Sequence, residues 1–209
     1  LIKNLGDDDI ILESAFSANW YLPNKDKYRL TYFTGAYSYE YQKNQDILKG
    51  GRKTIETRRG LSGPDAIPFF MIDNGEANED YGGVYFGSVI WSGNWKLIFE
   101  RDHAGRTIIV GGINEFDFEY CLEPGMVYET PMFFAGYTNG GFGNTTRNLH
   151  RYERNEIIHP TERNRILPVI YNTHGSLVNR TNEENVMAEV EEAHKIGVEL
   201  FVLDGGWSG

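Results

Sequence analysis

The chain has one cysteine, no excess of basic residues and no long apolar run, and each absence removes a class of protein. Cys121 is the single cysteine among 209 residues, so no disulfide can form within the chain. Lysine and arginine number 20 against 30 aspartates and glutamates, a formal charge of −10. Nucleic-acid phosphates demand a basic face, so no nucleic-acid partner is expected. No window approaches the ~18 consecutive apolar residues of a membrane helix, so no membrane partner is expected either. No phosphate loop is present, because no glycine-rich segment combines a preceding strand with GxGxxG or GxxxxGK[ST] spacing. Asn139 to Gly143 and Tyr81-Gly82-Gly83 read instead as turns. No second histidine stands three or four positions from His174, so metal-ligand spacing is lacking and no metal or other cofactor is expected. The acidic clusters Asp7-Asp8-Asp9 and Glu76 to Asp80 read as solvated loops.

What is abundant is glycine and aromatic side chains. The 24 glycines exceed the roughly 15 that average usage would supply, which implies many turns and short strands. Hydrophobic residues at 40% and charged residues at 24% fit a folded protein and exclude a disordered one. From Ile10 to about Pro131 the apolar period is close to two. Tyr28 to Phe33 and Ala36 to Tyr41 read as strands around a Thr34–Gly35 turn. Val84 to Trp91 and Lys96 to Arg101 suggest a hairpin looped at Ser92-Gly93-Asn94, with Thr107 to Val110 following a turn at His103-Ala104-Gly105. Glu115 to Leu122 alternates aromatic and acidic residues, as a strand with one buried face would. Cys121 within it reads as a small core filler. An antiparallel sandwich accounts for this region.

The texture then changes twice. Thr145 to His159 is polar and charged, a short helix and a linker that ends at Pro160. Ile166 to Tyr171 is a continuous apolar run, as a strand buried on both faces requires. Thr181 and Glu184 form a capping box, Val186, Val190 and Ala193 share one helix face, and Gly197 suits a left-handed cap. Val198 to Leu203 is a second apolar strand. Strand, helix and strand make one βαβ unit, which cannot bury its own strands, so this end reads as the opening of a (β/α)8 barrel. The expected organisation is a β-sandwich over 1–143, incomplete at its N-terminus, a helical linker over 144–164, and a truncated barrel start over 165–209. Leu1 follows no signal-like segment and the lone βαβ unit needs neighbours, so the chain reads as a piece of something longer.

Side chains placed just after a barrel strand face its catalytic end. Asp204 and Trp207 in LDGGWSG hold that position, where a carboxylate can accept from sugar hydroxyls and an indole can stack on a pyranose ring. Glycines there let a ligand approach the backbone. The alternative is a glycine turn in which Asp204 caps a helix and Trp207 packs on the rim. His174, after the first strand, is a second candidate on the same end, and a solvated loop histidine is its alternative. Arg58-Arg59 reads as a surface turn, and the Asn144 and Asn179 sequons decide nothing.

The chain resembles the α-galactosidases of glycoside hydrolase family 36, the melibiases of clan D. The resemblance is carried in the front part by GAYSYE (Gly35 to Glu40), RRGLS (Arg58 to Ser62), SGN (Ser92 to Asn94), GIN (Gly112 to Asn114) and LEPGMVYETP (Leu122 to Pro131). In the rear part it is carried by PVIYN (Pro168 to Asn172) and GVELFVLDGGWSG (Gly197 to Gly209). It implies an antiparallel β-supersandwich followed by a (β/α)8 barrel. It also implies retaining hydrolysis of terminal α-D-galactosides, in which two carboxylates stand about 5–5.5 Å apart. Both would lie C-terminal to Gly209, so the resemblance assigns no catalytic residue here and implies an inactive fragment. The substrate-binding set it implies is Asp204, Gly205, Trp207 and His174. Asp204 matches the first of two adjacent aspartates, Gly205 replaces the second, and His174 stands where a tryptophan is usual. Those departures imply a shift toward an N-acetylated or C6-altered sugar. Family likeness further implies a homo-oligomer formed through the sandwich, and the lack of disulfides and signal leans cytoplasmic. A non-catalytic carbohydrate-binding or assembly module is the competing class.

Overall fold

A computed structural model describes residues 1–177 and 180–205, which fall into two compact units, Leu1–Arg151 and Tyr152–Gly209. The first unit opens with β1 (Ile2–Lys3), β2 (Ile10–Leu12), β3 (Phe16–Leu22), β4 (Arg29–Ala36), β5 (Tyr39–Ile47) and β6 (Gly51–Glu56). It continues with β7 (Phe69–Asp73), β8 (Val84–Ile90), β9 (Trp95–Arg101) and β10 (Thr107–Ile113). The strands β11 (Tyr120–Leu122), β12 (Val127–Tyr128) and β13 (Met132–Thr138) complete it, followed by α1 (Gly141–Tyr152). A four-stranded sheet runs β3-β10-β9-β6 and a five-stranded sheet β13-β8-β7-β4-β5, every pairing antiparallel.

The core lies between these sheets, because the period-two pattern turns one face of each strand inward. Leu30, Phe70, Ile72 and Val89 come from the five-stranded sheet and meet Trp95, Leu97, Phe99 and Ile109 from the other. Phe70 and Phe99 pack edge to face at 5.0 Å. Full burial of side chains this large contributes about 1.5–3 kcal/mol each. The five-stranded sheet is covered on its other side too. Phe142 of α1 joins Met71, Val84 and Phe86 there, so β7 (FFMID) carries apolar residues on both faces.

Several sequence expectations need correction. Strands β8 and β9 do not form a hairpin, since they belong to different sheets and Trp91 to Asn94 carries the chain across the core. The turn in GAYSYE lies at Tyr37–Ser38, with Ser38 at φ 62°, not at Thr34–Gly35. Gly35 is instead a bulge residue, where a Cβ would come within 2.9 Å of Glu40 Cα. The alternating segment from Glu115 is a strand only over Tyr120–Leu122. A turn precedes it, with Asp117 at φ 54° and Phe118 N donating to Glu115 O. Cys121 is exposed rather than core, because the inward position of β11 belongs to Leu122.

The Asn139 to Gly143 segment is more than a turn, since it follows β13 and opens α1. It still offers no anion site. The backbone N–H groups of Gly141, Phe142 and Gly143 donate to the carbonyls of Gly82, Asn78 and Glu79, so the amides that would cradle a phosphate are occupied.

The second unit contains a π-helical turn at Glu153–Ile157, β14 (Ile170–Asn172), a 3-10 turn at Thr173–Gly175, α2 (Glu183–Lys195) and β15 (Leu200–Val202). Strands β14 and β15 pair in parallel, the crossover being α2. The first strand is shorter than its apolar run, and Ile166, Leu167, Val169 and Ile170 are exposed here rather than buried on both faces. Two strands with one helix supply no second layer to cover them. Helix α2 is capped by Asn182, whose Oδ1 accepts from Asn185 N at 2.9 Å, one residue later than the Thr181 capping box would place it. Its end is a complete Schellman motif: Val198 N donates to Ala193 O, Gly197 N donates to His194 O, and Gly197 is at φ 85°. Asn182→Ala should lower the stability of this unit by about 1 kcal/mol, measurable by thermal unfolding. Asn182→Ser should restore most of that loss.

Candidate carbohydrate site at the strand ends

Parallel pairing puts the C-terminal ends of β14 and β15 side by side, with Asn172 opposite Val202 and Asp204 two residues beyond. The strands are held there by side chains that anchor their loops. The Tyr171 hydroxyl donates to Glu189 of α2 at 2.8 Å and lies 2.8 Å from Ser176 Oγ, while its ring stacks on Phe201 at 5.3 Å. Ser176 Oγ also donates to Glu189 Oε2 at 2.8 Å, tying the loop after β14 to the helix.

Asp204 is the centre of the arrangement. Asn172 Nδ2 donates to its Oδ2 at 2.7 Å, and Gly205 N donates to its Oδ1 at 2.6 Å. His174 Nδ1 stands 4.0 Å from Oδ1. The Asp204 backbone N–H donates to the buried Thr173 Oγ1 at 3.1 Å, which seats the residue on the loop after β14. Asn172 works at both ends, since its Oδ1 accepts from His174 N at 2.8 Å and so orients that loop. The amide of Asn172 holds the Asp204 carboxyl below the usual carboxylate range, helped by the Gly205 N–H and the imidazole of His174. The side chains of Asp204 and His174 remain 42% and 57% exposed, so an incoming ligand can reach both. A carboxylate with lone pairs to spare, an amide and an imidazole on one open rim can bind vicinal hydroxyl groups.

Of the four residues singled out from the sequence, Asp204, Gly205 and His174 come together, and Trp207 lies outside the described residues. Asn172 and Thr173 were not among them. The signal for Asn172 was its place at the end of the apolar run, two positions before His174; nothing local marks Thr173, whose partner is 31 residues away. Among the described residues no three His, Cys, Asp or Glu side chains converge to hold a metal. Arg58 and Arg59 are engaged on the sandwich, pairing with Glu56 at 2.8 Å and Asp65 at 3.3 Å, and the Arg58 guanidinium lies over Phe116. No described helix is long and apolar enough to cross a membrane.

Comparison with known proteins agrees with this layout. Residues 1–123 match the glycosyl hydrolase family 36 N-terminal domain, and residues 127–209 match melibiase. Alpha-galactosidase AgaA of Geobacillus stearothermophilus is 31% identical over 207 residues, and alpha-galactosidase Mel36A of Lactobacillus acidophilus is 28% identical over 208. These alignments take in 99% and 100% of this chain but 28% of either relative, so the chain spans about 28% of their length. The crystal structure of AgaA superposes with a TM-score of 0.92 over 98% of this chain and 28% of its own. A variant of AgaA in complex with raffinose superposes with a TM-score of 0.91 at 30% identity, over 98% of this chain and 28% of its own. With an antiparallel sandwich followed by a parallel βαβ unit, and with more than half its length matched to the family's N-terminal domain, the chain belongs to glycosyl hydrolase family 36.

Proposed function

We propose that this chain is the sandwich and barrel start of a retaining glycoside hydrolase acting on terminal α-D-galactosides. The supporting observation is the Asp204 carboxylate, held ionised by Asn172 and Gly205 at the paired ends of two parallel strands. In this role Asp204 and His174 bind sugar hydroxyls, Gly205 admits the ring, and Trp207 stacks on it. The nucleophile and the acid/base belong to later strand ends beyond residue 209. The domain division proposed is 1–143 for the sandwich, 144–164 for the linker and 165–209 for the barrel start, with self-association through the sandwich. Reading the coding sequence past Gly209 tests the assignment. Six further strand–helix units with two strand-end aspartates support it, and an immediate stop codon overturns it. Light scattering of the resulting protein tests self-association, and a monomer overturns that part.

One observation favours a shifted sugar preference within this class. Gly205 follows Asp204 where the resemblance implies a second aspartate, so no carboxylate side chain stands at that position. A sugar hydroxyl left there without its partner loses about 1–3 kcal/mol of binding. With the complete barrel, Gly205→Asp should raise kcat/KM on nitrophenyl α-galactoside about tenfold and lower it on nitrophenyl α-N-acetylgalactosaminide. Selective turnover of the plain galactoside by the unsubstituted protein would refute the shift.

A further inference from the structure

A cavity of about 260 Å³ in the first unit has a chemistry that the hydrolytic role does not use. Four tyrosines line it, Tyr28, Tyr81, Tyr85 and Tyr137, together with Lys25 and Glu76. Tyr85 and Tyr137 are register partners on β8 and β13, their rings 4.8 Å apart. Tyr85 is braced edge-on by Trp20 at 5.8 Å and by Tyr28 at 6.5 Å, so the back wall is fixed before any ligand arrives. Gly83 keeps the wall open, because a Cβ there would come within 2.7 Å of the Tyr137 hydroxyl.

The hydrogen-bonding capacity of this cavity is largely unspent. Tyr28 donates to Pro23 O at 2.6 Å. The hydroxyls of Tyr81, Tyr85 and Tyr137 and the ammonium of Lys25 have no hydrogen-bond partner among the described residues. Glu76 accepts at one carboxylate oxygen from Asn74 Nδ2 at 2.8 Å, leaving the other oxygen available. Tyr81 and Tyr137 are 60% and 56% exposed, so ring faces as well as hydroxyls are presented. One cation beside one anion leaves no net charge to attract a phosphate or a second anion. Aromatic faces ringed by unpaired donors and acceptors match a ligand that is apolar on its face and hydroxylated at its edge. The volume is below the ~300 Å³ at which sites for drug-sized ligands begin, which suits one sugar ring rather than a long chain.

We propose that this tyrosine cavity is a carbohydrate-binding site of the sandwich unit, taking one pyranose ring of a neutral oligosaccharide by stacking and by hydrogen bonds to Tyr137, Tyr81 and Glu76. The site does not depend on the hydrolytic assignment, and the test separates the two. Raffinose is titrated into the 209-residue chain to roughly 50 mM, the range for millimolar binding, while backbone amides are followed by NMR. Saturable shifts at Glu76, Gly82 and Gly83 are expected, whereas sugar held at the strand ends would report at His174 and Gly205. Tyr137→Phe keeps the ring and removes one hydroxyl, and should weaken the first set of shifts about fivefold. Tyr81→Ala, at an exposed position that folding can spare, should weaken them at least as much. A folded spectrum with no saturable change at those three amides overturns the proposal. So do shifts that both variants leave intact, and so does equal response to a non-sugar polyol such as glycerol.

Discussion

Asp73→Ala should unfold the sandwich unit more readily by about 3–5 kcal/mol, the largest effect expected of any single substitution in this chain. Asp73 is fully buried at the end of β7, and Arg29 of the neighbouring strand reaches it through two parallel hydrogen bonds of 2.9 and 3.0 Å. The same carboxylate accepts from Gly75 N at 2.5 Å and Ala77 N at 3.3 Å, so it also folds the loop that follows. Removing it leaves a guanidinium, 20% exposed, with Ala77 O as its remaining acceptor and Phe142 beneath it. Those residual contacts place the loss near the lower end of the range. In urea the midpoint should fall by roughly 1.5 M or more for a slope of about 2 kcal/mol per molar. Asp73→Asn should recover only part of the loss, since its amide can present a donor to the cation. The double variant Arg29→Met with Asp73→Ala should be clearly more stable than the two single costs imply, because no buried charge is then stranded. Additive costs would show that the pair contributes little beyond packing.

Asp204→Ala should lower kcat/KM on an α-galactoside about 10- to 100-fold in the protein with a complete barrel, with little change in stability. The range reflects the loss of hydrogen bonds to a charged group, which are stronger than those to a neutral one. Asp204 belongs to none of the apolar clusters of the described residues, which is why folding should tolerate the change. The pH dependence has a definite sign. The folded-state carboxyl is depressed, first by the Asn172 amide, then by the Gly205 N–H and His174. Its charge is therefore fully present above the ordinary carboxylate range and is lost as pH falls through the depressed value. Asn172→Ala should move that titration back upward, a shift that carboxyl NMR of Asp204 reads directly. Loss of activity in Asp204→Ala without any upward shift in Asn172→Ala would show that the hydrogen bond in the structure does not persist in solution.

Much of this was legible along the chain, and the parts that were not share a cause. Period-two alternation marks strands wherever one face is buried, so Val84 to Trp91 and Thr107 to Val110 stand out. It cannot say which sheet a strand joins. Ser92 to Asn94 reads as a hairpin loop because the two runs are close in sequence, yet the chain uses this segment to cross the core. The same limit applies to Asn139 to Gly143, whose glycines look like turn residues. Their role becomes visible only with the 78–82 loop beside them, where the carbonyls of Asn78, Glu79 and Gly82 take up the first amides of α1.

At the strand ends, local chemistry was enough to single out Asp204 and His174, because a polar residue after an apolar run marks where a strand meets solvent, whereas Gly205 was marked by the family resemblance. The orientation of Asp204 was a different matter. It rests on Asn172 and Thr173, more than 30 positions away, and on parallel pairing that brings both strand ends to one side. The tyrosine cavity is the extreme case, since Lys25, Glu76, Tyr81 and Tyr137 are spread along the chain and no local pattern links them. The alternation, the glycine turns and the later continuous apolar runs therefore determined the class of fold, all properties of composition and near neighbours. Which glycines are turns, which strands pair and which polar groups face one another were decided by tertiary structure alone, because each depends on contacts between residues far apart in the chain.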